Sequence, residues 1–126
     1  MSTRILVIDD DEGIRELLRL HLSSAGYEVE VAEDAIAAGY MVLRAAPDLI
    51  ITDVNMPHMD GFEFIAALKA DASIPDIPVI FLTSDQEGDL RGKDLGAVGY
   101  LLKPVRAERL LGMVAKHVAG GKFSLD

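Results

Sequence analysis

Leu49-Ile50-Ile51-Thr52-Asp53-Val54-Asn55-Met56-Pro57 is the stretch on which the fold turns. Pro47 breaks a helical pattern just upstream, and Leu49, Ile50 and Ile51 then make a short apolar run of high β propensity. Such a run reads as a strand buried on both faces, as the strands of a parallel sheet are. It ends abruptly on Asp53. A carboxylate is costly inside a core unless it is paired or coordinated. Its natural place is the C-terminal end of the strand, where open parallel sheets keep their ligand crevice. Pro57, Asp60 and Gly61 then force a turn.

The same logic extends in both directions. Ile5-Leu6-Val7-Ile8 is a second apolar run, and it too ends in acids: Asp9, Asp10, Asp11 and Glu12. Ile14, Leu17, Leu18, Leu22 and Ala25 recur at helical spacing, with Gly26 placed to end that helix in a left-handed cap. Glu28-Val29-Glu30-Val31 alternates, which predicts a strand with one exposed face at a sheet edge. Glu33 or Asp34 starts the next helix, which should run to about Ala46 despite Gly39, whose presence costs ~1 kcal/mol relative to Ala. Asp60 and Glu63 fit a capping box ahead of Phe62, Ile65, Ala66 and Leu68. Val79-Ile80-Phe81-Leu82 is a further buried strand, ending on Thr83-Ser84-Asp85. Gln86 to Leu95 is polar and carries Gly88 and Gly92, so any helix there is weak. Tyr100-Leu101-Leu102 is a last short strand, followed at once by Lys103-Pro104. A closing helix with Leu110, Leu111, Val114, Ala115 and Val118 should stop at Gly120-Gly121. Strand and helix thus alternate five times, which implies an α/β doubly wound parallel sheet with right-handed crossovers. The expected strand order is 2-1-3-4-5.

At 126 residues the chain suggests one domain, read as 1–119 with 120–126 as a tail or the start of a linker. No apolar run approaches the ~20 residues of a membrane span, and the N-terminus shows no signal-peptide pattern. Cysteine is absent, which fits a reducing, cytoplasmic setting. The net charge of −9 argues against a nucleic-acid or anionic-membrane surface on this domain.

In a parallel sheet, Asp9, Asp10, Asp53, Thr83 and Lys103 all gather at one edge. Two carboxylates within ~4 Å repel by ~4 kcal/mol at an effective dielectric near 20, which is tolerable if a cation sits among them. All-oxygen ligands favour a hard ion: Mg²⁺, with Mn²⁺ as the alternative. Asp53 can act as a nucleophile toward a phosphoryl group. Phosphoryl transfer asks the protein mainly to position groups and neutralise charge. Asp9 and Asp10 would hold the metal, Asn55 would offer its backbone carbonyl, Lys103 would bind a phosphoryl oxygen, and the Thr83 hydroxyl would donate to another.

The chain resembles the receiver domain of two-component response regulators, the CheY-like family. The resemblance rests on Val7-Ile8-Asp9-Asp10, on Asp53 followed by Met56-Pro57-His58-Met59-Asp60-Gly61, on Thr83, on Gly96-Ala97, and on Tyr100-Leu101-Leu102-Lys103-Pro104. The strand order above is the flavodoxin-like order of that family and is not independent of it. The resemblance implies that a sensor histidine kinase or phosphotransfer protein delivers a phosphoryl group to Asp53. Thr83 then turns toward the phosphate and Tyr100 swings inward behind it. A face made by the Gln86–Leu95 segment, the last strand and the closing helix would signal to a downstream effector protein or a fused output domain. It also implies a cis Lys103-Pro104 bond, and a domain that catalyses only its own phosphorylation and dephosphorylation rather than turning over free substrate.

Departures from the family pattern lie on the signalling face. The span from Thr83 to Lys103 looks about two residues short, so a short or irregular helix is expected between Gln86 and Leu95. Val98-Gly99 stands where many dimerising regulators carry an Asp pair. Two rival readings fit less well. A haloacid-dehalogenase-type phosphatase needs a threonine after the strand 1 acids, and Asp9-Asp10-Asp11-Glu12-Gly13 lacks it. A flavodoxin-like flavin binder needs a phosphate loop rich in Ser, Thr and Gly there, and the acids would repel the phosphate.

Overall fold

The computed structural model describes residues 2–84 and 95–118. Among them the elements are β1 (Arg4–Ile8), α1 (Glu12–Ser24), β2 (Glu28–Ala32), α2 (Ala35–Arg44), β3 (Leu49–Asp53), α3 (Gly61–Ala70), β4 (Val79–Thr83), β5 (Gly99–Leu102) and α4 (Ala107–His117). The strands form one parallel sheet in the order β2-β1-β3-β4-β5.

Side chains of a strand alternate between faces, and each face here has its own core. Ile5, Val7, Leu49, Ile51, Ile80, Leu82 and Leu101 meet Leu18 and Leu22 of α1 and Leu110 and Val114 of α4. Leu6, Ile8, Ile50, Val79 and Phe81 meet Ala35, Ala38 and Val42 of α2 and Phe62, Phe64 and Ile65 of α3. Burial of each large side chain stabilises by about 1.5–3 kcal/mol, so β1, β3 and β4 had to be apolar almost throughout. β2 sits at the edge as expected, but its alternation is muted. Glu30, on the nominally open side, is half covered because the Arg4 guanidinium pairs with it at 2.8 Å.

The helix ends follow capping chemistry. Asp11, Asp34 and Asp60 each accept a backbone N–H as N-cap of α1, α2 and α3. Asp60 and Glu63 complete the expected capping box, at 2.8 and 3.0 Å. At the end of α1, Gly26 adopts φ 100°. Its N–H bonds Ser23 O, while Tyr27 N–H bonds Leu22 O. This is a Schellman closure, with Tyr27 and Leu22 supplying its apolar contact.

Several expectations need correction. α2 stops at Arg44, short of Ala46, because the residue before Pro47 is disfavoured in helical backbone. α4 ends at His117, with Val118 as its cap, ahead of Gly120-Gly121, which lie outside the described residues. Leu17 and Ala66 face solvent rather than core, while Phe64 is buried. The expected short helix between Gln86 and Leu95 falls, apart from Leu95, outside the described residues.

Gly39 sits in the fifth position of the ten-residue α2. Among the described residues a Cβ there would meet only Phe64 Cε1, at 4.0 Å, an ordinary contact. Gly39→Ala is therefore expected to raise unfolding stability by about 0.5–1 kcal/mol. Urea denaturation measures it, and a loss of stability would mean the helix needs the glycine for its own packing.

Candidate functional site

Parallel register sets the positions of the strand ends. Ile8 lies opposite Thr52, Asp53 opposite Leu82, and Thr83 opposite Leu102. The residues that follow or end β1, β3, β4 and β5 therefore reach the same edge: Asp9, Asp53, Thr83 and Lys103. The structure brings both buried acids onto the lysine. Lys103 Nζ lies 2.9 Å from Asp9 Oδ2 and 3.2 Å from Asp53 Oδ2. Asp10 projects from the same turn but is exposed, and ligand oxygens of Asp9, Asp10 and Asp53 lie within 4.8 Å of one another.

The turns hold each acid in place. Asp9 is fully buried, and its Oδ1 accepts the N–H of Asp11 at 2.9 Å. Asp11 in turn caps α1, so the loop and helix start form one rigid unit. Asp53 Oδ1 accepts the N–H of Asn55 at 3.3 Å. Asn55 itself is exposed. Lys103 is anchored by its own N–H, which donates to Thr83 O at 2.9 Å, and the Lys103-Pro104 peptide is cis. Thr83 is half-buried at the end of β4. Behind the site, Tyr100 pairs with Phe81 across β5 and β4, their rings stacked 5.9 Å apart. Phe81 also touches Phe62, at 4.7 Å between centroids. His58 is exposed, at φ 72°, and stays out of the carboxylate cluster, in keeping with a solvated loop residue.

The electrostatics of the pocket are unbalanced. Burial, then the neighbouring charge of Asp9, pushes the Asp53 carboxyl above the usual aspartate value. Lys103 and the Asn55 N–H oppose that shift without cancelling it. For Lys103, burial works against the charge, but hydrogen bonding and charge from Asp9, then Asp53, outweigh it and hold the ammonium above the ordinary lysine value. One lysine faces three acids. At an effective dielectric near 20, Asp9 and Asp53 alone repel by about 3 kcal/mol.

A metal ion fits this set. Asp9 Oδ2 is buried, and among the described residues its partner is the Lys103 ammonium at 2.9 Å. With Asp10 and Asp53 it forms an all-oxygen cluster, the donor chemistry of a hard divalent cation.

Three contributing residues have no obvious signal in the sequence. Arg15 Nη1 donates to Asp9 O at 2.8 Å, from a helix position that reads only as solvated. The Thr52 hydroxyl, buried beneath the site, donates to Asp53 O at 3.0 Å. Gly61 passes so close to β3 that a Cβ there would overlap Asp53 O, while its N–H donates to Val54 O at 2.8 Å. Its place just after a helix N-cap could have suggested a close approach, but not to which backbone.

Comparison with known proteins places these residues in a wider setting. The family model described as the response regulator receiver domain matches residues 5–115. Response regulator MprA of Mycobacterium tuberculosis is 43% identical over 113 residues, which is 88% of this chain and 48% of that protein. The DNA-binding dual master transcriptional regulator RpaA of Synechocystis is 40% identical over 88% of this chain and 47% of its own length. The chain thus spans about half the length of the curated relatives it matches. Among solved structures, chemotaxis response regulator CheY4 of Vibrio cholerae superposes with a TM-score of 0.88 at 38% identity, covering 94% of this chain and all of that one. The receiver domain of NtrX from Brucella abortus gives 0.82 at 29% identity, covering 90% and 96%.

Proposed function

This chain belongs to the response regulator receiver domain family of two-component phosphorelay signalling, and on that premise we propose that Asp53 is its phosphoacceptor, charged by a sensor histidine kinase or phosphotransfer protein. The observation that carries the proposal is the meeting of Asp53 and Asp9 on Lys103, beside Asp10.

An Asp53 carboxylate oxygen attacks phosphorus, the bond from phosphorus to the donor nitrogen breaks, and the phosphoryl group becomes an acyl phosphate on Asp53. Attack requires the ionised carboxylate, and burial next to Asp9 disfavours that form. Asp9, Asp10, Asp53 and the Asn55 carbonyl would hold Mg²⁺, or Mn²⁺ in its place, which supplies charge neutralisation to the carboxylates and phosphoryl oxygens. Lys103, already 3.2 Å from Asp53 Oδ2, binds a phosphoryl oxygen. The Thr83 hydroxyl donates to another, and Tyr100 then follows Thr83 inward against Phe81. β5 and α4 carry that change outward to a downstream effector protein or a fused output domain. The domain catalyses only its own phosphorylation and dephosphorylation. No helix among the described residues is long and apolar enough to cross a membrane, which suits the proposed cytoplasmic setting.

Incubation with acetyl phosphate and MgCl₂, read by intact-mass spectrometry, tests the assignment. The wild type is expected to gain one phosphoryl group and Asp53→Ala none. Equal labelling of the two would remove Asp53 from the role.

A further inference from the structure

We propose that the outer face of α2, with the groove between α2 and α3, is a self-association surface at which a second copy of this chain docks in an antiparallel, two-fold arrangement. α2 is apolar on two sides. Its inner side, Ala35, Ala38 and Val42, is in the core. Its outer side carries Ile36, Tyr40 and Leu43, which are 62%, 73% and 64% exposed. They follow i, i+4, i+7 spacing, so they form one continuous ridge. Scattered exposed apolar residues are normal on a surface, but a contiguous ridge is a contact signal. Beside the ridge runs a groove of about 520 Å³, lined also by Gly39, Met59 and Phe64. The ridge of one copy therefore has a complementary hollow on the next.

The charges of α2 select a second copy as occupant. Asp34 caps its start and Arg44 is its last residue. Gly39 lies midway, five residues from each. When two such helices cross antiparallel at Gly39, the acidic start of each meets the basic end of the other, and their dipoles oppose favourably. Arg44 is exposed and has no ion-pair partner within its own chain among the described residues. Gly39 also gains a reason. It weakens α2, and nothing in the packing of the described residues needs it, but without a Cβ it lets another backbone approach. The net charge of −9 opposes any self-association. At physiological salt, however, charges beyond about 8 Å are screened, and only those at the contact decide.

Sedimentation equilibrium of the full chain tests this. The weight-average mass should rise from monomer toward dimer between about 10 µM and about 1 mM, the weak end expected of a small interface. Tyr40→Glu, at an exposed position that leaves the fold intact, should raise the dissociation constant at least about tenfold, and Arg44→Glu about threefold. Gly39→Ala should also weaken the dimer while stabilising the monomer. Leu20→Glu, on the exposed face of α1, should change nothing. A chain that stays monomeric throughout overturns the proposal, and so does a dimer indifferent to Tyr40→Glu or broken equally by Leu20→Glu.

Discussion

Gly61→Ala is expected to cost about 2–4 kcal/mol of unfolding stability, at or above the upper end of ordinary overpacking. The cost is steric, since the left-handed backbone angles that only glycine adopts freely are not involved here. A Cβ would overlap the carbonyl oxygen of Asp53 and lie 3.2 Å from both Asp53 C and Val54 Cα. Backbone cannot swing aside as the far end of a flexible side chain does. Gly61 is tied to Val54 O by its own N–H, Asp60 before it is locked by the capping box, and Phe62 after it is buried against Phe81. The displacement must therefore pass into β3, at Asp53 itself. Urea denaturation should show the loss, and the folded fraction should also accept phosphate from acetyl phosphate more slowly than wild type. Gly39→Ala is the internal control, because the same chemical change there is expected to stabilise. A Gly61→Ala protein within about 0.5 kcal/mol of wild type, the range of neutral surface changes, would show that β3 and α3 do not press together at this point.

These two glycines mark what pattern reading can and cannot reach. Local pattern reads Gly39 as a weak point inside a helix and Gly61 as part of a turn; only the tertiary approach of β3 to α3 shows that a Cβ is tolerated at the first and excluded at the second. The strands were readable because two-sided burial demands unbroken apolar runs, and each run stops where a carboxylate, threonine or lysine must reach the crevice. The caps were readable for a local reason: Asp60 to Glu63, and Gly26 after Ala25, make their hydrogen bonds within a few residues. The meeting of Asp9, Asp53 and Lys103 followed from strand ends once the sheet was parallel. Periodicity failed where a helix carries more apolar side chains than the sheet has room to cover. In α1, Leu17 reads as core but is 44% exposed, because Leu18 and Leu22 already fill the space over the sheet. In α3, Phe64 rather than Ala66 turns inward, since the larger ring fills the layer shared with α2. Arg15 could not be found, because its bond to Asp9 O depends on the path of the β1–α1 turn rather than on residue type.

Lys103→Met should lower stability by about 2–4 kcal/mol at neutral pH, close to the cost of breaking a buried ion pair but reduced because the lysine side chain is 20% exposed. Methionine keeps most of the stem, and the backbone N–H to Thr83 O survives, so the loss reports charge. Without the ammonium, Asp9 and Asp53 face each other buried and uncompensated. The sign of the pH dependence follows from Asp53. Its folded carboxyl already titrates above the usual 3.8 with the lysine present, and losing the lysine pushes it higher. Between 3.8 and that raised value the folded state binds more protons than the unfolded state. Stability therefore rises as pH falls through that window and declines as pH rises through it, and the penalty is complete above the raised value. The deficit of Lys103→Met relative to wild type should shrink on acidification. It should shrink again in Lys103→Met/Asp53→Asn, where one of the two opposed charges is gone. Millimolar MgCl₂ should raise the melting temperature of Lys103→Met more than that of wild type, because an ion that binds only the folded cluster stabilises it by mass action. Should Lys103→Met unfold at the wild-type urea midpoint from acid to neutral pH, with and without magnesium, the two acids would already be neutralised by other means, and the charge imbalance read into this pocket would not exist.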